Sequence, residues 1–256
     1  MTEMNLELFS PEDIAVLNRL DLSRLPQHIA VIMDGNGRWA ERQGLPRVIG
    51  HHAGVESVRF MINACHDLGI PYLTLYSFST ENWRRPEEEI QALMDLIEEQ
   101  LRSELEGMHR KGVRVRHLGR RDGLPASLLR VLDDSAANTR ENTNLTLCFA
   151  INYSGRSELL DAATRMAQAV QRGELDPASV TEDDLAHCLY LPEVPDPDLL
   201  IRTAGEMRVS NFLLWQIAYA ELWCTTALWP EFRAPHLLAA LEEYHRRNRK
   251  YGGIAS

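Results

Sequence analysis

A compact apolar run, residues 28–33 (HIAVIM), passes without a spacer into the turn Asp34-Gly35-Asn36-Gly37. Such a run leaves no polar face for water, so it fits a strand covered on both sides, the condition met when crossover helices flank a mostly parallel sheet. The remaining sequence alternates short β-type runs with helical ones, and no internal repeat or Gly/Ser linker divides it. The expected architecture is therefore a single α/β domain with a mostly parallel central sheet flanked by helices.

Residues 52–68 carry Val55, Val58, Met61, Ile62 and Cys65 at helical spacing, and Gly69 is placed to stop that helix. Residues 72–78 (YLTLYSF) read as a second strand. Pro86 followed by Glu87, Glu88 and Glu89 opens a long helix with acids at the positive end of its dipole, ending near Gly112. Strands are expected at 113–118, 145–151 and 199–202, and helices around 127–139, 157–171, 182–189, 211–222 and 236–249.

The net charge of −10, from 27 basic against 37 acidic residues, sets the average surface against nucleic acid, so nucleic-acid coating is excluded and any polyanion needs a local basic cluster. Only Lys111 and Lys250 are lysines. The arginine bias suits bidentate phosphate contacts, but a biased genome composition produces the same bias and is the preferred explanation. Cys65, Cys148, Cys188 and Cys224 lie far apart, without metal-ligand spacing, and read as buried thiols in a reducing compartment. Residues 1–20 carry Glu3, Glu7, Glu12 and Asp13 and lack the form of a secretion signal, while residues 211–229 are interrupted by Gln216 and Glu221. A soluble cytoplasmic protein is expected.

Chemistry gathers at three places. Gly35-Asn36-Gly37-Arg38-Trp39-Ala40 formally matches the dinucleotide fingerprint, which keeps a nicotinamide or flavin enzyme open, although Asp34 puts an anion where a pyrophosphate would lie and no second strand carries the needed acid. An aspartate beside a phosphate cradle makes sense if Mg²⁺ bridges the two; a solvated turn is the plain alternative. Arg47, His51 and His52 bracket the next helix start, and residues 79–86 (STENWRRP) pack polar groups at the carboxyl end of a strand. Residues 202–210 (RTAGEMRVS) form the third cluster, and Glu221, inside an apolar stretch, requires a cation or a metal if buried. The chain contains no P-loop motif, no Asp-Asp-x-x-Asp and no G-x-S-x-G, which sets aside P-loop nucleotidases, helical prenyltransferases and the usual hydrolase elbow.

Taken together and in order, HIAVIMDGNGRWA, RVIGHHAG, YSFSTENWRRP and IRTAGEMRVSNFLLWQIAYAEL, with WPEF close behind, resemble the cis-prenyltransferases, specifically the bacterial undecaprenyl diphosphate synthases. The likeness runs from about residue 28 to 253, making residues 1–26 an N-terminal extension and 27–256 the catalytic domain.

The resemblance implies a cytosolic homodimer with a hydrophobic tunnel, a transferase of isoprenoid biosynthesis that condenses isopentenyl diphosphate onto farnesyl diphosphate in the cis configuration. The product would be undecaprenyl diphosphate, precursor of the lipid carrier for peptidoglycan and cell-wall synthesis, released with a peripheral membrane contact. Mg²⁺ would be the cofactor, with Asp34 and Glu221 as ligands. By similarity, Gly35, Asn36, Gly37, Arg38, Arg47 and His51 surround the allylic diphosphate, and Trp39, Ser79, Thr80, Glu81, Trp83 and Arg85 complete the substrate positions. Asn82 matches the proton acceptor, and Arg202, Arg208, Val209 and Ser210 the isopentenyl diphosphate site. Helices 52–68 and 90–108 with strands 72–78 and 145–151 would supply an apolar sleeve, Leu145 its floor.

Two positions depart from the family pattern. Met207 stands where some members have histidine, and Ala204 where glycine or serine is frequent, a minor change if the local φ is negative. A synthase of different product length is the nearest alternative. A catalytically silent partner subunit is opposed by the presence of Asp34, Asn82, Arg202 and Arg208.

Overall fold

The run at 28–33 does become a doubly covered strand: in β1 (His28–Ile32) no residue is more than 6% exposed. A computed structural model describes residues 8–247 of the chain. Glu3, Glu7, Lys250, Gly253 and the end of the helix expected to reach Arg249 lie outside the described residues. β1 is flanked in parallel by β2 (Tyr72–Ser79) and β5 (Leu199–Arg202). With β3 (Val113–Leu118), β4 (Leu145–Tyr153) and β6 (Glu221–Cys224) the sheet has the order β3-β4-β2-β1-β5-β6, every pair parallel.

The two-residue period of a strand sends Ile29 and Val31 into one core and Ala30 and Ile32 into another. The first face is covered by α3 (Arg47–Asp67), α4 (Glu87–Arg110), α5 (Ala126–Thr139) and α8 (Ala234–Arg246). α1 (Pro11–Leu17) packs on α8, and Phe9 and Leu17 enter the same core. On the second face lie the stretch 209–220 and α6 (Gly155–Gln171), whose Glu158 accepts from the hydroxyl of Tyr153 in that core, with α7 (Glu182–His187) packed on α6.

Four expectations fail locally, the first being that all four thiols are buried: Cys65 and Cys148 are, but Cys188 is half-buried and Cys224 exposed. α2 (Asn36–Arg42) forms where the sequence reads as an open turn, and α3 begins at Arg47, five residues earlier than expected. The helix expected near 211–222 does not form. Ser210, Asn211 and Leu213 have φ of 46°, 60° and 46°, which no right-handed helix accommodates, and residues 221–224 pair with β5 as a strand. The apolar spacing is used instead to bury Phe212 and Leu213 beneath β2 and β4, with Phe212 stacked on Tyr76 at 4.3 Å between ring centroids. Among the described residues, no helix is long and apolar enough to cross a membrane.

Candidate active site

From β1 the chain moves to β2 on one side and comes back to the other side only at β5, so the strand order reverses between β1 and β5. Open α/β sheets bind ligands outside the carboxyl ends of strands at such a point. Asp34, two residues past β1, meets Arg202, the last residue of β5, with Arg202 Nη2 2.9 Å from Asp34 Oδ2. Arg38, one turn into α2, places Nη2 3.1 Å from Asp34 Oδ1. Burial alone would raise the Asp34 pKa, but the hydrogen bonds and charges of Arg202 and Arg38 outweigh it and hold the carboxyl below its ordinary value. Thr203 fixes the backbone here: its hydroxyl donates to Asp34 O at 2.6 Å and accepts from Asp34 N at 2.9 Å.

Arg202 is a buried cation, its side chain 6% exposed. Nη1 donates to Ser210 Oγ at 2.6 Å and to Arg208 O, while Nε is buried without a partner among the described residues. Arg208 and Arg38 both turn to Glu206, Arg38 at 3.6 Å, so three guanidinium groups and two carboxylates share this strand end. Val209 lies half-buried in the same loop, and Met207 is 89% exposed. Gly35 has φ +106°, and a Cβ there would approach Leu228 Cδ2 to 2.9 Å and Ala204 Cβ to 3.0 Å, so only glycine fits the step from Asp34 into α2. Ala204 itself has φ +70°, contrary to the condition under which its departure from the family pattern would be minor.

The second cluster centres on Glu89. Arg85 Nη1 lies 2.9 Å, His51 Nε2 3.6 Å and Arg47 Nε 3.6 Å from its carboxyl oxygens. Burial first, then the Arg85 charge, lower the His51 pKa to about 4 against the pull of Glu89, so the ring is neutral. His51 Nε2 and Asn36 Oδ1 are buried polar atoms without hydrogen-bond partners among the described residues, and both side chains belong to residues that line the same cavity. Unpaired buried polar atoms cost free energy that a ligand bonding to them would recover. α2 reaches α3 this closely because Gly54 leaves room: a Cβ there would sit 2.4 Å from Asn36 Oδ1. Trp39, also on α2, is half-buried, and the Gly37 Cα faces the Arg47 guanidinium, which a Cβ would meet at 2.5 Å.

Residues 80–84 form a short 3-10 turn after β2. Asn82 Oδ1 accepts from Ser79 N at 3.0 Å, and Thr80 Oγ1 lies 3.4 Å from Glu81 Oε2. Trp83 donates to Asn152 Oδ1 at 2.8 Å and sets its ring edge-on to Phe78.

Below these groups, a cavity of about 240 Å³ opens between α3 and α4 and runs over β2, β3 and β4. Asn36 and His51 lie at its polar end; Val58, Ile62, Leu93 and Phe149 line its body, and Val113 and Lys111 close its far end. This is the set of helices and strands from which the sequence reading assembles an apolar sleeve, with β3 added. Leu145, the expected floor, is fully buried one strand over, opposite Val113 in the register, and does not line the cavity.

Among the described residues no three His, Cys, Asp or Glu side chains converge to hold a metal. Asp34 fits a divalent cation all the same, because Mg²⁺ takes one or two carboxylates and completes its shell with substrate phosphates and water, and this carboxylate is ionised and part-exposed. Within one chain Glu221 is not brought to that place. It pairs with Leu199 at the amino end of β5, three residues from the Arg202–Cys224 pair, roughly 10 Å down the strand. There its carboxylate accepts from Arg247 Nη1 at 2.8 Å, the arginine pair that the residue-level reading allowed.

A strand-end guanidinium cluster beside an apolar cavity is the arrangement of an α/β protein suited to a ligand with an anionic head and an apolar tail. Comparison with known proteins narrows the class. Residues 32–252 match the family model described as putative undecaprenyl diphosphate synthase. An isoprenyl transferase of Heliobacterium mobile is 49% identical over 245 residues, covering 96% of this chain and 94% of its own. One from Thermotoga maritima is 49% identical over 231 residues, 90% and 98% of the two chains. The crystal structure of lavandulyl diphosphate synthase from Lavandula x intermedia in complex with dimethylallyl diphosphate superposes with a TM-score of 0.85 at 32% identity, covering 90% of this chain and 99% of that one. A probable undecaprenyl diphosphate synthase from Campylobacter jejuni gives 0.74 at 30% identity, over 89% and 99%. The chain belongs to the undecaprenyl diphosphate synthase family and is a cis-prenyltransferase of isoprenoid biosynthesis.

The sequence reading missed Thr203, Glu206 and Glu89. The first two sit inside the RTAGEMRVS string, where a hydroxyl and an acid beside arginines are a usable signal; Glu89 looks like one of three acids at a helix start, and only the fold turns it toward Arg47, His51 and Arg85.

Proposed function

We propose that this enzyme elongates farnesyl diphosphate by successive cis condensations with isopentenyl diphosphate to undecaprenyl diphosphate, the lipid-carrier precursor of cell-wall and peptidoglycan synthesis. The observation that carries the proposal is the Asp34–Arg202–Arg38 cluster beside an apolar cavity lined by Met33, Asn36 and His51, with Asn36 Oδ1 and His51 Nε2 buried and without partners among the described residues.

The allylic diphosphate is assigned to Gly35, Asn36, Gly37, Arg38, Arg47 and His51, with Trp39, Trp83 and Arg85 around it, and the isopentenyl diphosphate to Arg202, Arg208, Val209 and Ser210. As the allylic C–O bond breaks, its electron pair leaves with diphosphate, and Arg38 and Arg47 stabilise the charge that develops there. The alkene of isopentenyl diphosphate attacks the freed carbon, forms the new C–C bond and then loses a proton from its C2. Ser79, Thr80 and Glu81 shape the turn that holds Asn82, which positions that proton for transfer to a diphosphate oxygen, an amide being too weak a base to keep it. Mg²⁺ held by Asp34 would add Lewis-acid stabilisation of the departing diphosphate. Glu221 is left out of this single-chain site.

A homodimer is proposed on the open side of the sheet: β6 is its last strand, with Leu222 and Tyr219 exposed beside it. The cavity is smaller than the roughly 300–1,000 Å³ of ordinary ligand pockets, so a long chain needs α3 and α4 to part. That volume also favours a second reading, a synthase of shorter product. Purified protein with Mg²⁺, farnesyl diphosphate and labelled isopentenyl diphosphate, with products sized by chromatography, decides between them; no incorporation of label would refute both.

A further inference from the structure

Asn211 is absent from every role assigned above. It sits between Ser210 and the buried Phe212, in a stretch where Ser210, Asn211 and Leu213 all adopt left-handed φ. Side-chain-bearing residues persist there only where surrounding contacts impose it, and of the three only asparagine adopts it readily.

Those contacts converge on Asn211. Its main-chain oxygen accepts from Gly155 N at 2.8 Å and its Oδ1 from Arg156 N at 2.9 Å, so two first-turn N–H groups of α6 end on this one residue. Its Nδ2 donates to Ser154 Oγ at 2.7 Å and to Glu81 Oε1 at 2.8 Å. The partners fix the amide's orientation, since a backbone N–H on one side and a carboxylate on the other admit no flip. Gly155 permits the approach, because a Cβ there would lie 2.7 Å from Leu214 Cγ and 3.0 Å from Asn211 O.

The connections continue both ways. Glu81 belongs to the turn that carries Asn82; burial raises its pKa, but the Asn211 bond and others outweigh it and keep the carboxylate ionised. Ser210, the preceding residue, takes a hydrogen bond from Arg202, which in turn grips Asp34. One amide therefore ties the loop after β2 to the loop after β5.

We propose that Asn211 is a positioning residue that sets the spacing between these two loops, and so holds Ser210 and Arg202 in register with the Asn82 turn. The inference rests on the assignment of the second loop to isopentenyl diphosphate.

Asn211→Asp separates this role from a merely structural one. Aspartate keeps an acceptor for Arg156 N, suits a helix start and tolerates left-handed φ, but it sets a second carboxylate oxygen against Glu81 in place of a donor. The expected result is a lowered melting temperature with the fold retained by circular dichroism, an unchanged KM for farnesyl diphosphate, and KM for isopentenyl diphosphate raised about ten- to a hundredfold, the worth of one hydrogen bond to a charged group. Adding Glu81→Gln restores a bond with donor and acceptor exchanged, so the double variant should recover most of that loss. Calorimetric titration with inorganic diphosphate should rank the wild type and both variants in the same order without turnover. An unchanged KM for isopentenyl diphosphate in Asn211→Asp, or a double variant no better than it, overturns the proposal. A wild type that binds diphosphate yet transfers no prenyl group defeats the functional reading instead, and the titrations still decide the role of Asn211.

Discussion

The two ends of the sheet carry the same chemical ingredients and treat them oppositely. At the carboxyl ends of β1 and β5, the part-exposed Asp34 pairs with a buried Arg202 whose Nε has no partner among the described residues, on a backbone that includes the left-handed Ala204 and Ser210. At the amino ends, Glu221 and Arg247 form a more exposed pair, with Arg247 bonded further to Glu243 and to Leu222 O. His28, on the same side, satisfies both ring nitrogens, on Pro195 O at 2.6 Å and Thr74 Oγ1 at 2.8 Å. An acid beside an arginine is thus uninformative alone; what distinguishes a site from a strut is unfinished hydrogen bonding and strained backbone where a ligand can arrive.

The largest effect should come from Asp34→Asn, which keeps a polar group against Arg202 but removes the charge. Turnover in the labelled condensation assay should fall roughly 10²–10³-fold, the loss typical of one transition-state electrostatic contact, with the fold retained by circular dichroism. A fall of less than tenfold would erase the contrast between the two ends. Leu145→Ala probes the packed amino end, where Leu145 backs Val113, a lining residue of the cavity. It should cost about 2–5 kcal/mol in denaturant unfolding and lengthen the products, and an unaltered chromatogram would show that the sleeve ends elsewhere.

Acid should weaken the amino end through His28. Burial lowers its pKa to about 4 against the Pro195 hydrogen bond and Asp198, so the folded ring is neutral while the unfolded ring protonates near 6.5. The unfolded state then binds more protons between these values. Stability is full above about pH 6.5 and declines toward pH 4 by up to roughly 3 kcal/mol. Replacing His28 with glutamine should flatten that part of the stability curve; an identical slope would assign it to other groups, His51 among them, whose pKa is also lowered to about 4. Ala204→Gly should raise stability by about 0.5–1 kcal/mol, the relief of left-handed alanine less the added chain entropy of glycine. Arg247→Ala, breaking a solvent-screened pair, should change the unfolding midpoint least, by under about 1 kcal/mol.

Much of this was readable in one dimension. The run HIAVIM, the glycine-rich turn after it and the acidic start of α4 are local signals, because strand burial, turn conformation and helix dipoles act over a few residues, and the family resemblance named the clusters at Asp34, the 79–85 turn and Arg202. The stretch 211–222 misled for the same reason. Its apolar spacing fits a helix, and only contacts from α6 and from Glu81 hold Asn211 in the conformation that forbids one.

Sequence by itself determined the α/β alternation, the family and the residue types proposed to meet a diphosphate, since these depend on neighbours along the chain. Tertiary structure decided which of those residues meet: that Arg202, 168 positions from Asp34, becomes its partner while Glu221 goes to Arg247, and that Leu145 stands behind the cavity wall. Strand order and register bring together residues no local pattern relates, and burial then decides whether a charge is a tie or a tool.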